Sequence, residues 1–320
     1  MTGLPAYDAL PVREGAPAGS SWGVWGDGDV LGCLNLLTPE GAQQAAGLVR
    51  SGRTFPLDLD LGVPDPPLFG RPRLRHEVLG PPGGGSHDDL VELNTQTSTQ
   101  WDGFRHVAHP VHGHYGGVAD EDHGVHHWAA RGIVARAVLA DVGRWREAAG
   151  RALRYDAPDA IEPEDVLGCL DAQGTAVEAG DVLLVRTGWL SWYRSLDGTA
   201  RADLAEHLVI PGLRPGRATA RMLWDLHVAA VAADNPSFEM WPPAGLARGE
   251  WRRRLAEDPE ETFVHTALLG LLGLPIGELF DLDALAEDCA GDGRYEAMLT
   301  SAPLHLRNGA ASPPNALAIR

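Results

Sequence analysis

The chain contains no lysine. All 26 of its basic residues are arginines, and they stand against 44 acidic ones. The formal net charge is −18 and the pI near 5.0. Nucleic acid and anionic membranes are bound through basic surfaces, so this balance argues against both as partners. Cysteine is scarce too. Cys33, Cys169 and Cys289 lie far apart with no Cys-x-x-Cys, which points away from a thiolate zinc site and from a disulfide framework. Buried, reduced thiols are the expectation. No uncharged apolar run approaches the roughly 20 residues of a membrane-spanning helix. Residues 1–20 are rich in Pro, Gly and Ala and carry neither the basic nor the apolar segment of a secretory leader. These absences together lead to the expectation of a cytoplasmic protein acting on a small molecule.

What is present suits one domain over residues 1–320, with an N-terminal arm at 1–20. Thr38-Pro39-Glu40 reads as a capped helix start running to about Ser51. Residues 54–62 alternate Phe55, Leu57, Leu59 and Leu61 and read as a strand. A loop rich in Pro and Gly follows from Val63 to Asp89, long enough to be a lid. Strands are expected over 132–142, 182–187, 228–234 and 302–307, and helices over 163–172, 214–226 and 260–273. The alternation of strand and helix between 182 and 234 suggests a β-α-β unit and an α/β fold.

Residues 94–115, NTQTSTQWDGFRHVAHPVHGHY, hold two glutamines, an aspartate, four histidines, a Trp and a Tyr. On an extended strand Gln96, Ser98, Gln100 and Asp102 would share one face. A turn at Gly103 could return His106 to Asp102. The same pattern also fits the wet face of an edge strand followed by a solvated His-rich loop.

This segment resembles the signature of the cyclase family, which includes bacterial kynurenine formamidase and isatin hydrolase. The family pattern is His-x-Gly-Thr-His-x-Asp-x-Pro-x-His. Here Thr99, Asp102 and His106 match, while Gln96 and Gln100 replace the two leading histidines, Ser98 the glycine and Phe104 the proline. Residues 21–40, 128–142, 180–189 and 231–243 and the tail SPPNALAIR are similar to the family as well, as is HTALLGLLGLPIGEL with His265 and Glu278. The resemblance implies a mixed β-sheet or partial barrel packed by helices. It implies a divalent metal, Zn or Mn, one per subunit, held by Asp102, His106, His265 and Glu278, which would also be the catalytic groups. Gln96, Gln100, Trp101, Phe104, His112 and Tyr115 are the expected substrate-binding residues. Glutamine offers only a neutral amide oxygen where imidazole would stand, so one metal position should be weakened.

The activity so implied is a metal-dependent hydrolase or cyclase acting on an amide, lactam or lactone C–N or C–O bond. Two alternatives stay open: a metal-free acid–base cyclase or isomerase in secondary metabolism, and a non-catalytic ligand-binding relative. A homodimer is expected, since family members commonly pair and two-fold assemblies prevail. Trp22, Trp25 and the arm are its candidate interface.

Overall fold

The computed structural model describes residues 3–80 and 83–320. Nine strands form one mixed sheet that curls into half a barrel and is packed by helices. Their spatial order is Thr54–Pro56, Ala316–Ile319, Glu296–Ser301, Ile133–Ala140, Val182–Val185, Ala230–Ala233, Ile276–Glu278, Gln100–Asp102 and Ala311–Ser312. The four neighbours from Ile133–Ala140 to Ile276–Glu278 run parallel. Val182–Val185 and Ala230–Ala233 are apolar and buried throughout, as strands covered on both faces must be. The helix Arg217–Asp225 lies between them in sequence, which realises the expected β-α-β unit.

Several elements differ from the sequence reading. The first helix is Pro39–Ala46, capped by the Thr38 hydroxyl, and ends at Gly47 rather than Ser51. Only Thr54–Pro56 of the expected 54–62 strand pairs, although Phe55, Leu57 and Leu59 are all buried. The Pro/Gly loop contains an exposed two-stranded hairpin, Arg75–Leu79 with Asp88–Glu92; Pro81 and Pro82 lie outside the described residues. No strand forms over 302–307. The C-terminal strands are Ala311–Ser312 and Ala316–Ile319, after a turn.

The arm packs on its own chain. The Tyr7 amide donates to Asp225 Oδ1 at 2.7 Å, and the Trp224 indole N–H donates to the Pro5 carbonyl at 2.8 Å. Trp22 is buried and donates to the Gly270 carbonyl at 3.0 Å, while Trp25 meets Trp224 edge-on at 6.0 Å. Trp22 is therefore held within its own chain, and Trp25 stays part-exposed beside it. Cys33, Cys169 and Cys289 are buried and free. Among the described residues no helix is long and apolar enough to cross a membrane.

Candidate active site

Strand register builds the site. Gln100–Asp102 pairs antiparallel with Ile276–Glu278, placing Gln100 opposite Glu278, Trp101 opposite Gly277 and Asp102 opposite Ile276. Gln100, Asp102 and Glu278 thus face one side while Trp101 faces the other. A Cβ on Gly277 would lie 2.6 Å from Ala232 and 2.9 Å from the Trp101 ring, so only glycine admits the indole there. Residues 94–99 form turns rather than a strand, yet they return Gln96 to the same point. Gln96 Nε2 donates to Asp102 Oδ1 at 2.6 Å, and Gln100 Nε2 donates to Glu278 Oε2.

His265 completes the cluster from a segment that breaks the expected 260–273 helix. A short turn, Pro259–Thr262, ends at Phe263 in extended conformation, and a π-helix then runs over Thr266–Leu272 to Gly273. The physical cause is Glu239. Its carboxylate accepts from the Val264 backbone N–H at 2.9 Å and from His265 Nδ1 at 2.9 Å, so this backbone donor is satisfied by a side chain instead of a preceding carbonyl. The Nδ1 contact turns Nε2 toward Glu278 Oε1 at 3.2 Å and Asp102 Oδ2 at 3.4 Å. A carboxylate behind an imidazole is the arrangement that orients histidine ligands in metal sites.

The electrostatics are those of buried acids around one imidazole. Burial, and then the Asp102 charge, push the Glu278 carboxyl up to about 7. Burial raises Glu239 despite His265. For Asp102 burial acts in the same direction, but His106, His265 and the Gln96 amide outweigh it and leave the pKa lowered. Burial opposes protonation of His265, yet Glu239, Asp102 and Glu278 together raise it well above the usual range.

A divalent ion fits the residues present. Asp102, His265 and Glu278 each offer a ligand atom within 4.8 Å of the others. Asp102 Oδ2 and Gln100 Oε1 are buried with no hydrogen-bond partner, and buried acceptors left this way are uncommon unless something else meets them. Two carboxylates, one imidazole and an amide oxygen suit zinc or manganese. His106 is placed beside this group rather than in it. Its ring centre is 6.4 Å from that of His265, and the residue is part-exposed.

The other expected site residues divide. Gln96 and Gln100 are in the cluster. Trp101 is buried against Phe280 and donates to Ser301 Oγ. Phe104 and Tyr115 pack on each other at 5.0 Å, Phe104 also meets Trp128, and the Tyr115 hydroxyl donates to Asp29. These three rings are buried in the core, away from solvent. His112 is exposed and stacks on His109, which bonds Glu260. Two residues escaped the sequence reading. Glu239 could have been suspected as an acid between Phe238 and Met240. Arg71 donates to the Gln96 carbonyl and to Gln96 Oε1, and nothing in its Pro-flanked loop signals this.

A crystal structure described as a novel cyclase is 30% identical, with a TM-score of 0.77 over 94% of this chain and 99% of that one. Isatin hydrolase A from Labrenzia aggregata, bound to benzyl benzoate, is 20% identical with a TM-score of 0.58, covering 86% and 97%. Isatin hydrolase A from Ralstonia solanacearum is 18% identical with a TM-score of 0.57, covering 87% and 95%. At the latter two identities the likeness is one of fold. A comparison with curated proteins returns no match. His265 and Glu278 lie beyond the matched span of the family model, so their place in the cluster rests on the geometry alone. That model, of the cyclase family, matches residues 42–240, more than half of the chain, and the chain belongs to the cyclase family.

Proposed function

We propose that the protein is a metal-dependent hydrolase of an amide, lactam or lactone, with cyclisation as the reverse use of the same groups. The observation that carries this reading is the convergence of Asp102, His265 and Glu278, with Asp102 Oδ2 buried, 3.4 Å from His265 Nε2 and accepting no hydrogen bond. These three residues would hold the ion, with Gln100 Oε1 beside them. A bound divalent ion supplies a water of lowered pKa and polarises a carbonyl. Glu239 fixes the imidazole of His265, and the Gln96 amide holds Asp102. His106, next to the cluster and part-exposed, would move a proton to the leaving atom. In the balanced reaction the oxygen of water joins the acyl carbon, the C–N or C–O bond breaks, and the leaving nitrogen or oxygen takes a proton.

A second reading is metal-free acid–base catalysis. Each carboxylate already has an amide donor, Gln96 on Asp102 and Gln100 on Glu278, with His265 between them. One experiment separates the two. Metal per subunit is measured on untagged protein, and turnover of amide, lactam and lactone probes is followed before and after chelation, in wild type and Asp102→Ala. Turnover lost on chelation and restored by the ion supports the first reading. Turnover that survives chelation but not Asp102→Ala supports the second, and turnover indifferent to both sinks them together.

A further inference from the structure

Arg71 stands at the edge of the closed cluster. Arg136, Arg146, Arg186 and Arg320 each face a carboxylate at close range. Arg71 is part-exposed, and among the described residues its hydrogen-bond partners are only the main-chain carbonyl and the side-chain oxygen of Gln96, the latter at 3.3 Å. A guanidinium carries five N–H donors in a planar fork, so donors remain for a ligand. The fork is held in place from behind. Its carbon lies 4.8 Å from the centre of the Phe69 ring, and that ring meets Trp241 edge-on at 5.2 Å. Phe69 takes a φ of 58°, a left-handed conformation that a bulky residue seldom adopts. Such an outlier beside a site is a mark of function worth testing.

Arg71 also lies one side chain from the cluster. Gln96 Oε1 accepts from Arg71 and from Gln100 Nε2 at 3.4 Å, which leaves Gln96 Nε2 for Asp102. The Gln96 side chain thus contacts both the fork of Arg71 and the carboxylate of Asp102.

We infer that Arg71 is a specificity-determining residue that receives the carboxylate formed when the acyl bond is hydrolysed, so that the product is a small carboxylic acid. The inference rests on the hydrolytic reading above. Hydrolysis creates an anionic group where the substrate had a neutral carbonyl, and Arg recognises a carboxylate through two parallel N–H contacts. Ring closure with loss of water would create no such anion.

The test uses binding of a product-like probe, so it stands or falls apart from turnover. Affinities for benzoate and for neutral benzyl alcohol are measured by calorimetry on the protein as purified, with metal per subunit recorded. The variants are Arg71→Gln, Arg71→Lys and Gln96→Leu. Wild type should prefer benzoate by about tenfold or more, the scale of one charge-assisted contact. Arg71→Gln should lose that preference at unchanged metal content, Arg71→Lys should keep part of it, and Gln96→Leu should keep most of it. The inference is overturned by a wild type that binds both probes alike, or by a preference that survives in Arg71→Gln. A loss that follows metal content, or an equal loss in Gln96→Leu, also overturns it, since the fork would then act only through the ion or through Gln96.

Discussion

Two groups of buried acids sit on the same sheet and differ in how completely they are satisfied. The first gathers where the Ile133–Ala140, Val182–Val185 and Ala230–Ala233 strands end. Asp234 accepts from the Thr187 amide and hydroxyl at 2.7 Å each and from the Gly188 amide at 2.8 Å. Arg186 bridges Asp141 and Asp283, and the other Asp141 oxygen accepts no hydrogen bond but lies 3.1 Å from the Arg144 guanidinium. Both oxygens of Asp234 are occupied, and burial, aided by the Asp283 charge and only partly offset by Arg186 and the Thr187 hydrogen bonds, pushes its carboxyl up to about 6. The second group is Asp102, Glu239, His265 and Glu278. Here Asp102 Oδ2 and Gln100 Oε1 accept no hydrogen bond, and the imidazole is shared among three carboxylates. A buried acid whose oxygens are all taken fixes a fold. One with an acceptor left over and no guanidinium facing it, as at Asp102, has room for something the chain itself does not provide.

The largest expected effect falls on the incomplete group. Asp102→Ala should lower turnover by more than roughly 100-fold, beyond the usual cost of an outer partner of a metal ligand. Its melting temperature should fall less than that of Asp234→Ala, since fewer buried donors lose an acceptor. Activity assays paired with thermal unfolding check this, and a large loss of stability with turnover retained would erase the contrast between the groups.

Asp234→Ala should do the reverse. It leaves two buried backbone N–H groups and a hydroxyl unpaired, at a cost of about 2–5 kcal/mol in unfolding free energy, read by denaturant titration. The pH dependence has a definite sign. Because the folded pKa of Asp234 is raised from 3.8 to about 6, its contribution to stability is full below 3.8 and is lost as pH rises through 6. Asp234→Asn should remove a pH-dependent loss on the order of 3 kcal/mol across that window. Parallel stability curves for the two proteins between those pH values would contradict it.

Glu239→Gln should weaken metal affinity by about 10–100-fold, since it removes the charge that orients His265. Competition with a coloured chelator measures this, and unchanged affinity would make Glu239 a helix-breaking residue only. The smallest effect concerns the glutamines. Gln96→His and Gln100→His should each cost on the order of 0.5–1.5 kcal/mol in kcat/KM by removing a hydrogen bond to Asp102 or Glu278, even if metal content rises. Unchanged kcat/KM in the double variant would show the amides to be idle.

How much of this was legible in the chain differs by residue. Gln100 and Asp102 share a face because side chains alternate along any strand, and that needs no knowledge of neighbours. Pro39, Gly47 and the 163–173 helix follow equally local rules, with Pro163 opening that helix and Gly174 closing it in left-handed conformation. The 302–307 strand failed because pairing there is decided by which edge is free. Ala311–Ser312 took the place beside Gln100–Asp102. Trp101, Phe104 and Tyr115 looked like a ligand's wall because aromatic residues serve core and pocket alike, and only packing tells them apart.

By itself, then, the sequence carried the resemblance that implied the family, the mixed sheet and most polar groups of the site, while periodicity and residue spacing, which act within a few positions, set the local elements. The tertiary structure alone decided the rest. Glu239 meets His265 across 26 intervening steps of chain, Gln100 meets Glu278 across 178, and Gln96 meets Arg71 across 25. Which buried acid is satisfied and which is left open depends on those distant partners, because a hydrogen bond is set by distance and angle in space and not by separation along the chain.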